Sequence, residues 1–205
     1  MKALKIGIVA THTFPLPPPT HTGDVVILDL AVALQALGHE VTMYAPEGTK
    51  APGRLLAMPC SFGKYPPSSE ECEQQCFSDH TAALLAEDVV HDFSNTKYIA
   101  EILASRGTPT VSTLLGGTWA HPNPPLNICV WSEAMRRRGL RGATDYEGTP
   151  TPGMGGPPQR PIKEAHVVHG GIDTGWYTPA GRKESWFLWM NRWHPAKGYR
   201  QAIEL

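Results

Sequence analysis

The chain has 205 residues, which suits one α/β domain with a full core and is too short for two domains of ordinary size. Its 18 Lys and Arg residues nearly balance its 19 Asp and Glu residues, so charge gives no case for nucleic acid or an acidic membrane as a partner. No apolar run is long enough for a signal peptide or a membrane span. We therefore expect a soluble, cytoplasmic protein without a transmembrane segment.

Short β-branched runs alternate with helical patterns along most of the chain. The patterns predict strands at 4–11, 39–46, 54–59, 88–94, 108–115, 127–132 and 164–172, and helices at 24–38, 68–87 and 96–107. Strands that alternate with helices are typical of a doubly wound parallel sheet, which binds its ligands beyond the carboxyl ends of the strands.

Two later segments do not fit this alternation. The stretch 142–161 is half Gly and Pro, which predicts a long mobile loop. After a turn-rich stretch, the apolar run 186–190 predicts another strand, followed by a basic loop and the start of a helix that runs to Leu205.

The four cysteines fit an intracellular protein as reduced thiols. Cys72, Cys76 and His80 stand at i, i+4 and i+8, so they could share one face of a helix. A fourth ligand is not evident and C-x3-C is not a common zinc spacing, so we favour ordinary helix residues over a metal site.

The loop after the first strand lacks the G-x-G-x-x-G fingerprint and contains only Gly23, so we do not expect NAD or FAD as a cofactor. His91 and Asp92 end a predicted strand on the edge where such sheets place their sites. Trp119 and His121 follow the next strand and would line the same cleft.

Arg192 and Lys197 flank a turn between the apolar run and the last predicted helix. A planar guanidinium and a point-charge ammonium at the carboxyl end of a strand suit a diphosphate. Taken alone, the two residues are more simply interpreted as exposed cations in a loop.

A familiar order of motifs gives these residues a wider context. The segments "PLPPPTHTGD", "LAVALQALGHEVTMYAP", "DVVHDFS", "HGGIDTGWYTP" and "NRWHPAKG" resemble, in order and spacing, the retaining GT-B glycosyltransferases of family 4. The most specific part is "GGID" through Tyr177-Thr178-Pro179, followed by R-x4-KG. The resemblance spans nearly the whole chain.

The resemblance implies a division of the chain. Residues 1–170 would form a Rossmann-like acceptor domain, 171–184 an interdomain linker, and 185–205 the first strand, loop and helix start of a nucleotide-sugar domain. The fold class would be α/β, a doubly wound parallel sheet with an incomplete second domain. With the second domain incomplete, we expect the 205-residue chain to be catalytically incomplete on its own, and its apolar tail, 185–205, to pair with a second copy in a homodimer.

The resemblance also implies an activity: transfer of a sugar from a UDP- or GDP-sugar to an unknown acceptor hydroxyl with retention, without a cofactor or metal. Arg192, Lys197 and Gly23 would bind the donor diphosphate. His91 and Asp92 would be catalytic. Thr22, Trp119 and His121 would belong to the acceptor cleft.

Three positions depart from the family pattern. The paired glycines before the first helix are Thr22-Gly23, the second His of the H-x-H motif is Phe93, and the Gly before the basic Arg is Asn191. Two other readings stay open: a non-catalytic binding or interaction module that retains the fold, and a sugar-nucleotide epimerase of the same fold. The epimerase fits the proline-rich loop and the "GGID" linker less well.

Overall fold

The protein is an α/β structure built on one parallel sheet. The computed structural model describes residues 2–17, 24–59, 69–114, 127–138, 165–171, 181 and 199–204. Its strands are β1 (Lys5–Val9), β2 (Glu40–Pro46), β3 (Arg54–Met58), β4 (Val89–Asp92), β5 (Thr110–Thr113), β6 (Asn127–Val130) and β7 (His166–Val167). Its helices are α1 (Val25–Ala36), α2 (Ser69–Leu85), α3 (Tyr98–Ser105), α4 (Glu133–Arg138) and α5 (Tyr199–Glu204).

The seven strands lie in the order β3-β2-β1-β4-β5-β6-β7, and every neighbouring pair is parallel. Successive strands are therefore added in one direction from β1 to β3 and in the opposite direction from β4 to β7. The junction between β1 and β4 is the topological switch point of a doubly wound fold. The predicted doubly wound parallel α/β sheet is confirmed.

Helices cover the two faces of the sheet unequally. On one face, α1 packs Ile27 and Ala31 onto Ile6 and Ile8 of β1. We call this side the α1 face. The opposite face is covered by α2 and α3, as shown by the cluster of Cys76 and Leu103 with Val9 and Val90. Because successive residues of a strand point to opposite faces, each strand contributes to both cores.

Most predicted helices and strands are present, with shorter bounds. Of the predicted strand at 164–172, only His166–Val167 form β7, which pairs with β6 and ends the order of strands in the described part of the chain. The helix predicted at 68–87 is interrupted at His80, whose φ of −122° is not helical. The His80 ring instead forms a 2.9 Å hydrogen bond with the carbonyl of Ala57 in β3.

The prediction that all four cysteines are reduced thiols is wrong, because Cys72 is disulfide-bonded. Cys76 and Cys129 are free and buried. Within the described part of the chain, no helix is long and apolar enough to cross a membrane. The Gly/Pro-rich loop at 142–161 and the apolar run at 186–190 lie outside the described residues, and the division into domains stays a prediction.

Candidate functional site

The last strand residues of β4 carry the two predicted catalytic side chains on opposite faces of the sheet. Phe93 belongs to the core under α1, and the His91 ring stacks on it with centroids 4.2 Å apart and planes 22° from parallel. Asp92 points the other way, toward α3, where its carboxylate accepts a hydrogen bond from the amide of Ala100. The two adjacent residues that the sequence analysis grouped as catalytic therefore do not face one site.

A cavity of about 500 Å³ opens on the α1 face, between α1 and strands β4 to β7. The helix contributes Val26, Asp29, Leu30, Val32 and Ala33. The sheet contributes His91, Phe93, Thr113, Cys129 and Trp131, and the segment 168–171 after β7 completes the wall. Apolar walls with a few polar groups are typical of ligand pockets, and this cavity lies where doubly wound sheets bind ligands.

His91 is one of the polar residues that line this cavity. Its Nε2 lies 2.7 Å from the Oγ1 of Thr113, so the two side chains share a hydrogen bond whose direction depends on the tautomer. Burial lowers the pKa of His91 to about 4, opposed by the nearby Asp92 carboxylate and reinforced by the Lys97 ammonium. The imidazole is therefore neutral at physiological pH, able to accept or donate a hydrogen bond without carrying charge.

Asp92 is fully buried and anchors the loop that follows β4. Its Oδ1 accepts a hydrogen bond from the amide of Ser94 at 2.6 Å, and its Oδ2 accepts one from Ala100 at 3.1 Å. It also lies 3.6 Å from the ammonium of Lys97. The carboxylate is not among the groups that line the cavity, and this geometry assigns it to positioning the start of α3.

Lys97 is a buried cation that the sequence analysis did not single out. Its Nζ donates to the carbonyls of Asp92 at 3.2 Å, Ser94 at 2.5 Å and Thr113 at 3.0 Å. The side chain is 2 % exposed, and burial lowers its pKa while Asp92 and Glu73 act in the opposite direction. Its backbone has φ 65°, a left-handed conformation that is costly for a residue other than Gly. A charged residue at a helix start is a weak sequence signal for such a role.

Glu73, on α2, supports the same loop from the other side. Its carboxylate accepts hydrogen bonds from the amide and hydroxyl of Thr96, at 2.8 and 2.6 Å, and from the amide of Tyr98 at 3.1 Å. It satisfies free N–H groups at the start of α3, as a capping side chain does, although it comes from another helix. Burial raises the pKa of Glu73, and the Asp92 carboxylate raises it further.

The far wall of the cavity consists of residues that the sequence analysis did not predict. Trp131 follows β6, and its carbonyl lies 2.9 Å from the Nδ1 of His169. A Cβ added at Gly170 would lie 3.7 Å from the Trp131 indole, so the backbone packs directly against that ring. A single Trp in a strand pattern gives no indication of which face it takes until the register is known.

Six of the eight predicted site residues lie outside the described residues: Thr22, Gly23, Trp119, His121, Arg192 and Lys197. In the described part, no group of three or more His, Cys, Asp or Glu residues could hold a metal ion. The three residues at metal-like spacing on α2 have separate surroundings, since Cys72 is disulfide-bonded, Cys76 is buried in the core and His80 bonds to Ala57.

A comparison with protein-family models and a search of curated proteins each found no match to this chain. Among solved structures, it is similar to a glycosyltransferase from Rickettsia africae ESF-5, with a TM-score of 0.50 and 16% sequence identity. The match covers 89% of this chain and 47% of that chain. At this identity the likeness shows the fold alone. The chain has the parallel, Rossmann-like α/β fold found in a glycosyltransferase, and it spans about half the length of that protein.

Proposed function

We propose that this chain is the acceptor-binding part of a glycosyltransferase, which transfers a sugar from a UDP- or GDP-sugar to an acceptor hydroxyl with retention. The observation that carries the proposal is the position of His91. A neutral imidazole, paired with the Thr113 hydroxyl, faces a cavity at the ligand-binding edge of this fold. The fold likeness to a glycosyltransferase supports the same class of activity.

In this proposal the cavity holds the acceptor. A neutral His91 can form a hydrogen bond with the reacting hydroxyl and fix its direction, and such positioning lowers the entropic part of the barrier. Phe93, which stands where the resembled family has a second His, stacks on the imidazole and limits its rotation. Asp92 then acts indirectly, by holding the loop between β4 and α3.

The donor belongs to a separate part of the site. The described residues around the cavity include no Lys or Arg, so nothing there would neutralise a diphosphate. We assign the diphosphate to Arg192, Lys197 and Gly23, and we place Thr22, Trp119 and His121 in the acceptor cleft, as the sequence resemblance implies. The cytoplasmic location expected from the sequence also stays part of this proposal.

The test measures UDP or GDP release from a panel of sugar nucleotides, using the longest product that the gene encodes beside the 205-residue chain. We expect turnover by the longer product only, since catalysis in this class needs groups from both domains. His91→Ala should lower kcat/KM by about 100-fold, the scale of one positioned acid–base or hydrogen-bonding group. NMR of the product anomer would test retention.

Release of nucleoside diphosphate by neither protein, together with saturable binding of a sugar-bearing ligand, would instead favour the non-catalytic binding module. Inversion at the anomeric carbon would refute retention and leave the transfer reaction in place. Epimerisation of the donor sugar without an acceptor would favour the third reading.

A further inference from the structure

We infer that the cavity on the α1 face binds the apolar part of a non-anionic acceptor, so that the acceptor is a hydroxyl compound with an aliphatic or aromatic group and not a free sugar or a phosphorylated one. The inference rests on the proposed function for the word acceptor. The binding preference itself follows from the walls of the cavity.

The walls on both sides are largely hydrocarbon. From α1 the cavity receives Val26, Leu30 and Val32, and from the sheet it receives Phe93 and Trp131. Val32 is 50% exposed and would lose water-accessible surface when a ligand occupies the cavity. Burial of apolar ligand surface against such walls is favourable, at about 25 cal/mol per Å² removed from water.

Charge narrows the class of ligand further. Among the described residues that line the cavity, Asp29 is the one acidic side chain and there is no Lys or Arg. A phosphate or carboxylate on the ligand would find no Lys or Arg there to replace its water and would face the Asp29 carboxylate. The described walls therefore disfavour an anionic ligand.

Hydrogen-bonding capacity excludes a free sugar from the depth of the cavity. Among the described lining residues beyond Asp29, the side chains that can form hydrogen bonds are few: His91, Thr113, Cys129, Trp131 and His169. His91 and Thr113 are already bonded to each other. A sugar has several hydroxyl groups, and each one buried without a partner costs binding free energy. One hydroxyl can reach the His91 and Thr113 pair, which leaves the rest of the ligand to contact apolar walls.

The experiment compares three probes by isothermal titration calorimetry with the 205-residue chain: n-octyl glucoside below its micelle concentration, methyl glucoside and n-octyl phosphate. The first two differ in the apolar group, and the first and third share the octyl chain and differ in the head group, an uncharged sugar against an anionic phosphate. We expect n-octyl glucoside to bind at least about 100-fold more tightly than methyl glucoside, since each buried methylene is favourable. We expect n-octyl phosphate to bind at least about 10-fold more weakly than n-octyl glucoside.

A pair of variants on one helix identifies the site of binding. Val32→Asp places a carboxylate on the cavity wall, and Leu37→Asp places one at a 63% exposed position just beyond the end of α1, away from the lining. Both positions are exposed, so both variants should fold. Only Val32→Asp should weaken n-octyl glucoside, by about 10-fold or more.

Three outcomes would overturn the inference: equal affinity for the octyl and methyl glucosides, tighter binding of the phosphate, or equal losses in the two variants. A cavity covered by a second copy of the chain would also overturn it, and would appear as probe affinity that falls as protein concentration rises. Sugar transfer to methyl and octyl acceptors with equal kcat/KM would refute the inference and leave the proposed function intact. Selective octyl binding without any sugar transfer would support the inference and refute the proposed function.

Discussion

Replacing Lys97 by Met would remove the ammonium group that holds the ends of β4 and β5 together. The ammonium donates to three main-chain carbonyls, those of the last residue of β4, of Ser94 after β4 and of the last residue of β5, and it faces the carboxylate of Asp92. Met retains most of the side-chain volume, so the change is mainly a loss of charge and of donors. Thr113, whose carbonyl loses a donor, also holds the His91 ring.

The expected loss of stability follows from the burial of this group. Lys97 and Asp92 are 2 % and 0 % exposed, and removing one partner of a buried pair typically costs about 3–5 kcal/mol. The left-handed backbone at residue 97 remains in the variant, with its own cost of about 1–2 kcal/mol. Since domains are stable by about 5–15 kcal/mol, the variant should be folded but close to its limit.

Urea unfolding followed by circular dichroism measures the effect, with Lys50→Met as the control. Lys50 is exposed, and its substitution should change the free energy of unfolding by less than about 0.5 kcal/mol. Lys97→Gly separates the two contributions, because Gly relieves the left-handed backbone and still lacks the ammonium. A Lys97→Met loss below about 1 kcal/mol would refute the role assigned to the ammonium. So would wild-type stability in Lys97→Gly.

Three further predictions concern pH, backbone packing and assembly. His91 has a pKa of about 4 in the folded chain and about 6.5 in the unfolded chain, so the unfolded chain binds the proton first as pH falls. The free energy of unfolding should therefore be unaffected by His91 above pH 6.5 and should fall by up to about 3 kcal/mol by pH 4. Urea titrations across this range should show a smaller slope in His91→Gln; equal slopes would assign the pH dependence to other groups. A Cβ at Gly53 would lie 2.3 Å from the carbonyl oxygen of Val41, so Gly53→Ala should lower the free energy of unfolding by about 1–3 kcal/mol, whereas Gly171→Ala, with nothing within 4 Å, should not. Similar effects of the two Gly substitutions would contradict this packing. Light scattering should find a dimer for the full chain and a monomer for residues 1–181, because the apolar tail includes a strand-like run at 186–190 and Ile203 is 70% exposed; two monomers would exclude the tail as an interface.

The sequence predicted the fold well because the signals for parallel strands and their helices are local. The buried run around Ile6 and Ile8, and the helical spacing that ends at Gly38, depend on residues close together in the chain. The position of His91 at the end of a strand could also be predicted, and in this fold ligands bind beyond the carboxyl ends of the strands. The likeness to a glycosyltransferase structure, at 16% identity, supports the fold that the motif order implied and leaves the family a prediction.

What the sequence could not give depends on residues that are distant in the chain. Whether Asp92 faces the cavity or α3 depends on which residues of β4 point to which face of the sheet. β4 is buried on both sides, so its sequence has no polar face that would show this. Glu73 reaches across 23 residues to Thr96, and Lys97 across 16 to Thr113. No spacing rule links such pairs. The disulfide of Cys72 was not predicted because the number of cysteines indicates the redox compartment and does not show which residues are close in space.

Because His91 and Asp92 point in opposite directions, the two faces of β4 have different roles. Residues on the α1 face contact the cavity, and residues on the other face hold the scaffold of α2 and α3. Substitutions at Val32, which lines the cavity and is half exposed, can reshape what the cavity accepts while the core and the buried ions behind the sheet stay in place. A protein arranged in this way can change its ligand by single steps on α1, because such a position does not belong to the buried core.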